Sequence, residues 1–305
     1  MSMISVSFLY FRGDFMKPIR LNPKTGELLL AAVIIARAAS FLFSKIVLQT
    51  MTPLTLMAVR FLIAFGFLVL LFHKKLRHIS LHTFCKGMLL GFAFFSVLAA
   101  EFTALQTTPS STVSFLENTA IVFVPIFEGV LHRRFPSLPT VFSLALAMLG
   151  IFLLTLGGGI SLSLQGGALF ALLAAVLYAV AIILTDRLSR QGDSLVLGIL
   201  QVGFMGFFAC IATFLFETPR LPSGTTEWGL ILALALVCSG FGFTLQPVAQ
   251  SYTTAERASM FCALSPVAAA VLGWLVLKES FGIIGFVAIA LIMGGILIST
   301  SAKQK

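Results

Sequence analysis

Ten apolar stretches of about 18 or more residues, parted by short polar breaks, fill this sequence almost from end to end. Each can cross the roughly 30 Å hydrocarbon layer of a bilayer as a helix. They fall at 28–48, 54–72, 84–104, 110–131, 139–157, 166–185, 194–216, 228–248, 256–277 and 281–300. Apolar residues make up 59% of the 305 and charged residues only 10%, with a mean hydropathy of +1.06. A soluble domain of this length has no means of hiding that much apolar surface. Backbone polar groups in lipid must be satisfied internally, and stretches of this length do so as helices. The expected fold class is therefore all-α integral membrane, with the lipid bilayer as solvent. The loops leave no room for a separate soluble domain. Repeated spans of this kind read as a channel or a transporter.

The net charge of +9 does not point to nucleic acid, because of where the charge lies. With the N-terminus placed in the cytoplasm, fifteen Lys and Arg fall on the inner side, from Arg12 and Lys17 through Lys74, Lys75, Arg133, Arg134, Arg187, Arg190 and Arg257 to Lys305. Two, Arg220 and Lys278, fall outside. That is a strong positive-inside bias, and it predicts a multi-pass protein of the cell inner membrane with both termini cytoplasmic. Cys85, Cys210, Cys238 and Cys262 all lie within the stretches, without CxxC spacing or a neighbouring His. They read as small apolar residues, with neither disulfide nor metal expected. Residues 1–26 form a cytoplasmic segment. Met3–Phe11 is apolar but short and is followed by charge, so it is not read as a signal peptide. Met16-Lys17-Pro18 resembles an ordinary start, which leaves two readings of the leader: a peripheral extension or a start set too early.

The sequence also carries an internal repeat. Residues 106–155 align without gaps on 250–299, matching Gln106 to Gln250, Gly129 to Gly273 and Gly150 to Gly294. Earlier in each half the offset shortens by three, and Gly26 falls on Gly167 and Leu54 on Leu195. Each half holds five spans, an odd number, so two such halves in one chain must lie upside down relative to each other. Inverted repeats are a recurrent build for secondary transporters, with the substrate site near the midplane between the halves. The expected units are 27–157 and 166–300, with a cytoplasmic tail at 301–305.

Several short motifs fit this plan. Ser40-Phe41 with Lys45 closes the first span, and Pro53-Leu54-Thr55 leads to Arg60-Phe61-Leu62. Phe123-Val124-Pro125 stands in the fourth span, and Leu264-Ser265-Pro266-Val267 with Gly273-Trp274 and Lys278-Glu279 in the ninth and its exit. In order and spacing the chain resembles the EamA-type transporters of the drug/metabolite transporter superfamily, over essentially residues 26–300. The resemblance implies ten transmembrane helices as two inverted five-helix repeats and transport of small organic metabolites, amino acids, nucleotide-like compounds and drugs among them. Two departures stand out. Where the family often has Trp-Gly-Ser, this chain has Arg37-Ala38-Ala39-Ser40. The related small multidrug pumps carry an acid within the first helix, whereas the acid nearest here is Glu27, at its cytoplasmic edge. Proton-coupled efflux of cationic drugs through such an acid is not supported.

Few charges are sunk in the spans, and each costs about 2.5–3.5 kcal/mol at a helix centre, so it is expected to face the bundle interior or a wet cavity. Arg37 lies mid-span with Ser40 and Ser44 on the same helical face. Two readings stand: a cavity arginine gripping a carboxylate or phosphate, or a structural ion pair. Glu117 and Asn118 follow Ser114 in the fourth span. At about 1.5 Å per residue, Glu117 lies within about 6 Å of Arg37 in depth, either as its partner or as the group that binds a substrate amine. Pro125 frees a backbone carbonyl and suits a gate, although tolerated transmembrane prolines are common. Lys45 and Glu101 near the outer ends read as an outer gate pair or as interfacial groups. Arg60 reads first as a structural residue bonded to backbone carbonyls and second as a substrate contact. Tyr178, Gln246 and Ser265 read as polar contacts from the second half or as satisfied membrane polar groups; under the repeat, Arg37 corresponds to Tyr178, Arg60 to Gln201 and Glu117 to Phe261. Gly87 and Gly91 form a GxxxG for close packing, within the chain or across a dimer.

No Walker sequence, catalytic constellation or metal-ligand spacing is present, so no enzyme and no cofactor is expected. The reading is a secondary-active transporter of a small polar or zwitterionic metabolite, an amino acid or an adenosyl-amino-acid, working by alternating access as a monomer or homodimer and open to proton or exchange coupling. Broad drug or organic-ion efflux is the alternative. A passive channel or a membrane enzyme is remote.

Overall fold

The computed structural model describes residues 22–77, 79–108, 110–133, 135–156, 166–268, 271 and 283–301. Among these, all regular structure is helical: α1 (Pro23–Val47), α2 (Pro53–Leu76), α3 (Leu81–Thr107), α4 (Ser110–Asn118), α5 (Ala120–His132), α6 (Leu138–Leu156), α7 (Gly166–Ser189), α8 (Ser194–Phe216), α9 (Gly224–Ala233), a π segment (Leu234–Phe243), α10 (Thr244–Gln250), α11 (Ala255–Cys262) and α12 (Ile283–Ser301). Eight helical stretches among the described residues are long and apolar enough to cross a membrane, with Leu138–Leu154 a shorter apolar helix beside them. The far part of the predicted ninth span, with Gly273-Trp274 and Lys278-Glu279, lies outside the described residues, as does the leader before residue 22.

Local sequence explains where the helices start. Pro53 opens α2, where a missing N–H costs nothing. Asp193 caps α8 by accepting from the Leu195 and Val196 amides, and Ser80 caps α3 through the Thr83 amide. The N-terminus of α2 is capped from another helix: Glu217, at the end of α8, accepts from the Leu54 and Thr55 amides at 3.0 and 2.9 Å. At the opposite ends of the same two helices Lys75 pairs with Asp193 at 3.2 Å. The antiparallel pair α2–α8 is thus clasped at both ends.

Two of the predicted spans are interrupted. The fourth is α4 and α5 with a tightened turn at Thr119, whose amide bonds back three residues to the Leu116 carbonyl. The Thr119 hydroxyl takes the same carbonyl and the Asn118 amide takes that of Ser114, so side chains compete with the helix ladder there. The helix then runs unbroken through Pro125. The ninth is interrupted at Ala263, whose amide bonds back to Met260 in the same way. Thr119 and Ala263 occupy equivalent positions in the repeat register.

Helix α2 packs on α8, α6 on α12, α3 on α7 and α8, α1 on the π segment and α10, α2 on the π segment, α4 and α5 on α7, and α11 on α1 and α5. Exchanging the two halves predicted from sequence maps this set of partners onto itself. The GxxxG is resolved as an intrachain contact: Gly87 lies against Leu200 and Gly91 against Phe204, both of α8. The polarity is that of a protein in lipid. Large apolar side chains such as Leu70, Phe92, Phe142, Leu169 and Phe214 are exposed on the outside, while Arg60, Glu101, Glu117, Gln201 and Gln246 are buried.

Candidate functional site

The buried charge gathers about one point of the bundle. Arg37 on α1 donates through Nη1 to the Tyr178 hydroxyl (2.9 Å) and to Gln246 Oε1 (2.6 Å). Its guanidinium lies 4.1 Å from the Phe243 ring centre, within cation–π range, with Tyr178 and Phe94 beside it. Every one of these hydrogen-bond partners comes from the second half of the chain. The expected Arg37–Glu117 ion pair is not formed among the described residues. A similar position along the helices does not fix direction around the helix axis, and Arg37 turns to α7 and α10 for its hydrogen bonds.

Arg60 on α2 has no accessible surface. Its Nε donates to the Ser239 hydroxyl at 3.0 Å, and Nη1 to the Ser40 and Ser44 hydroxyls at 2.9 and 3.4 Å. Side-chain hydroxyls therefore hold it, in place of the expected backbone carbonyls. Helix α1 supplies two of them because Ser40 and Ser44 are one turn apart.

The π segment joins the two arginines. Ser239 serves Arg60, and Phe243 lies under Arg37. Gly242 lets the arginine stem approach: a Cβ there would stand 2.7 Å from Arg37 Cγ. π segments arise where a helix departs from its regular ladder, frequently at functional sites. Sequence reasoning missed Ser239, Gly242 and Phe243. The signal was present in Cys238-Ser239-Gly240-Phe241-Gly242-Phe243, two glycines among aromatics inside an apolar span.

Around Arg37 lies a cavity of about 40 Å³, lined by Ile34, Arg37, Ser40, Leu98, Glu101, Glu117, Asn118, Tyr178, Phe243, Cys262 and Ser265. That is room for a few water molecules. Glu101, read from sequence as a group near the outer end, is buried in this wall, while Lys45 is exposed on α1. Glu117 is also buried, and its Oε2 has no hydrogen-bond partner among the described residues. Gln246 Nε2 and Arg60 Nη2 are likewise buried and unmatched among them. Ser114 stands behind Asn118, which bonds to its carbonyl at 2.7 Å. Pro125 lies two turns from Asn118 on α5 and does not line the cavity. The cavity thus brings together Arg37, Ser40, Glu117, Asn118, Tyr178 and Ser265, adds Glu101, and leaves Ser44, Ser114, Gln246, Lys45, Arg60 and Pro125 outside its wall.

A family model described as the EamA-like transporter family matches the chain twice, over residues 24–156 and 165–301. An uncharacterized transporter of Archaeoglobus fulgidus is 25% identical over 276 residues, covering 90% of this chain and 85% of its own. The uncharacterized transporter YetK of Bacillus subtilis is 25% identical over 207 residues, 66% of this chain and 63% of its own. One protein of known crystal structure has the same fold, with a TM-score of 0.76 over 91% of this chain and 96% of the other at 19% identity.

Proposed function

This chain belongs to the EamA-like transporter family, and from that premise we propose that it is a secondary-active carrier of a small, net-neutral zwitterionic metabolite. It works by alternating access across the cell inner membrane, with both termini cytoplasmic. The observation that carries the substrate class is a quartet of charges at and behind the cavity wall. Arg37 lines the cavity with Glu101 and Glu117, and the buried Arg60 stands behind it, so two arginines match two carboxylates and a ligand with equal positive and negative charge adds no net charge. Arg37 takes the carboxylate, with its fork already oriented by Tyr178 and Gln246. Glu117, with an unmatched oxygen, takes the ammonium beside Asn118. Ser40, Ser265 and the unmatched Gln246 amide add polar contacts.

Four observations support ten spans in two inverted five-helix repeats. The family match occurs twice, and packing partners interchange between the halves. The fourth and ninth spans break at equivalent residues. Arg37 and Tyr178, equivalent in the repeat register, are bonded to each other, as expected for residues beside an axis relating the halves. The cavity, far below the several hundred Å³ of a typical ligand pocket, fits a closed stage of the cycle.

The test is uptake of labelled amino acids into proteoliposomes by the wild type, Arg37→Ala and Glu117→Gln. Loss of Arg37 should abolish discrimination between an amino acid and its carboxyl amide. Loss of the Glu117 charge should abolish discrimination against the N-acylated compound. Trans substrate should accelerate exchange, as it does not through a pore. Unchanged kinetics in Arg37→Ala, in protein of wild-type thermal stability, refutes the assignment.

A further inference from the structure

A second cavity lies away from the charged quartet, on the outside of the bundle between α5 and α6. Its volume is about 320 Å³, and every residue lining it is apolar. Val122, Pro125 and Ile126 form one wall, and Val141, Ala145 and Met148 the other. Ile126, Val141 and Ala145 are exposed, so the groove opens sideways into the bilayer. At about 1.5 Å per residue it runs from about 9 Å to about 15 Å below His132, the end of α5. That is the depth of an acyl chain hanging from the adjacent leaflet.

Pro136, three residues after Arg133, also lines the groove, so its upper end lies by the α5–α6 turn. Arg133 follows α5 in the left-handed conformation (φ 52°), and its amide bonds back to the Gly129 and Val130 carbonyls. Its side chain is exposed and forms no ion pair among the described residues. Among the described residues at this end of α5, His132 and Arg187 are engaged, since Glu128 takes them at 3.1 and 3.8 Å. The Arg133 guanidinium is open to an external anion, on the membrane face that carries most of the chain's positive charge. Basic sites above clefts between transmembrane helices suit anionic lipid headgroups.

We propose that the α5–α6 groove is a binding site for one anionic phospholipid, with an acyl chain in the groove and the phosphate on Arg133. This site is independent of the transported substrate and requires only that the chain is embedded in a bilayer.

Native mass spectrometry of the full chain decides it, with delipidated protein given phosphatidylglycerol and phosphatidylcholine of identical chains. The wild type should retain one phosphatidylglycerol, about fivefold in preference to phosphatidylcholine, the effect of one basic residue at the membrane surface. Arg133→Gln should keep a bound lipid and lose the preference. Ala145→Phe should lose the lipid by filling the groove. Val141→Trp, at the exposed rim, should do the same and serves if Ala145→Phe does not fold. Equal retention of both lipids by the wild type overturns the proposal, as does undiminished preference in Arg133→Gln. A lipid that survives both groove substitutions in protein of wild-type elution profile also overturns it.

Discussion

Replacing Gly242 with Ala isolates the contact between the π segment and Arg37. A Cβ at this position stands 2.7 Å from Arg37 Cγ, where ordinary contact begins at 3.4 Å, so the stem must retreat by about 0.7 Å. Carried through to the guanidinium, that retreat stretches the 2.9 Å bond to Tyr178 towards about 3.6 Å, outside hydrogen-bonding range. A hydrogen bond to a charged group contributes about 1.5–3 kcal/mol, while Gly→Ala in a helix returns about 0.5–1 kcal/mol. The expected net loss is about 1–2 kcal/mol in reversible unfolding in mixed micelles. Gly229→Ala is the control, since nothing lies within 4 Å of its added methyl; it should be neutral or stabilising by the same helix gain. The decisive arm is an Arg37→Ala background, where no stem remains to collide. There Gly242→Ala should cost nothing. An equal cost with and without Arg37, or a variant as benign as Gly229→Ala, refutes the reasoning.

Arg60→Lys should be destabilised by about 1.5–3 kcal/mol, because an ammonium cannot fork to Ser239 and Ser40 together. Ser239→Ala should cost a similar amount, and the double variant should fall short of their sum. Glu217→Ala, which uncaps α2 from α8, should lose about 1–2 kcal/mol. Glu217→Gln should recover part of that, and the gap between the two should narrow in high salt. Lys75→Ala should cost under about 1 kcal/mol, because the pair is half exposed. Asp193→Ala should cost about 1 kcal/mol even when Lys75 is absent, because its carboxylate also caps α8. Unfolding midpoints of the singles and the double variant separate the two roles.

Hydropathy alone located the eight described helices that are long and apolar enough to span, because a bilayer demands long apolar helices wherever they stand in sequence. It also singled out Arg37, Arg60 and Glu117, because a charge inside such a helix has few permissible surroundings. What it could not supply was direction around the helix axis. Counting along the helices puts Glu117 at a depth similar to Arg37, yet the acceptors of Arg37 lie 141 and 209 residues away on other helices. Glu101 was set near the outer end by its position along α3, while its side chain turns into the cavity. The break at Thr119 was readable in Asn118-Thr119, two side chains able to take backbone carbonyls. Pro125 drew attention instead, and the helix passes through it intact.

The π segment has one more consequence. Its hydrogen bonds span five residues instead of four, so it holds residues in reserve relative to an α-helix. Each residue of slack passed along a helix turns the stretch it crosses by about 100°. Moving that slack past Phe243 and Gln246 would swing both away from Arg37, while Ser239, on the other side, kept its hold on Arg60. The π segment thus holds the slack that such a turn requires, and each residue passed would also shift the stretch by about 1.5 Å along its axis.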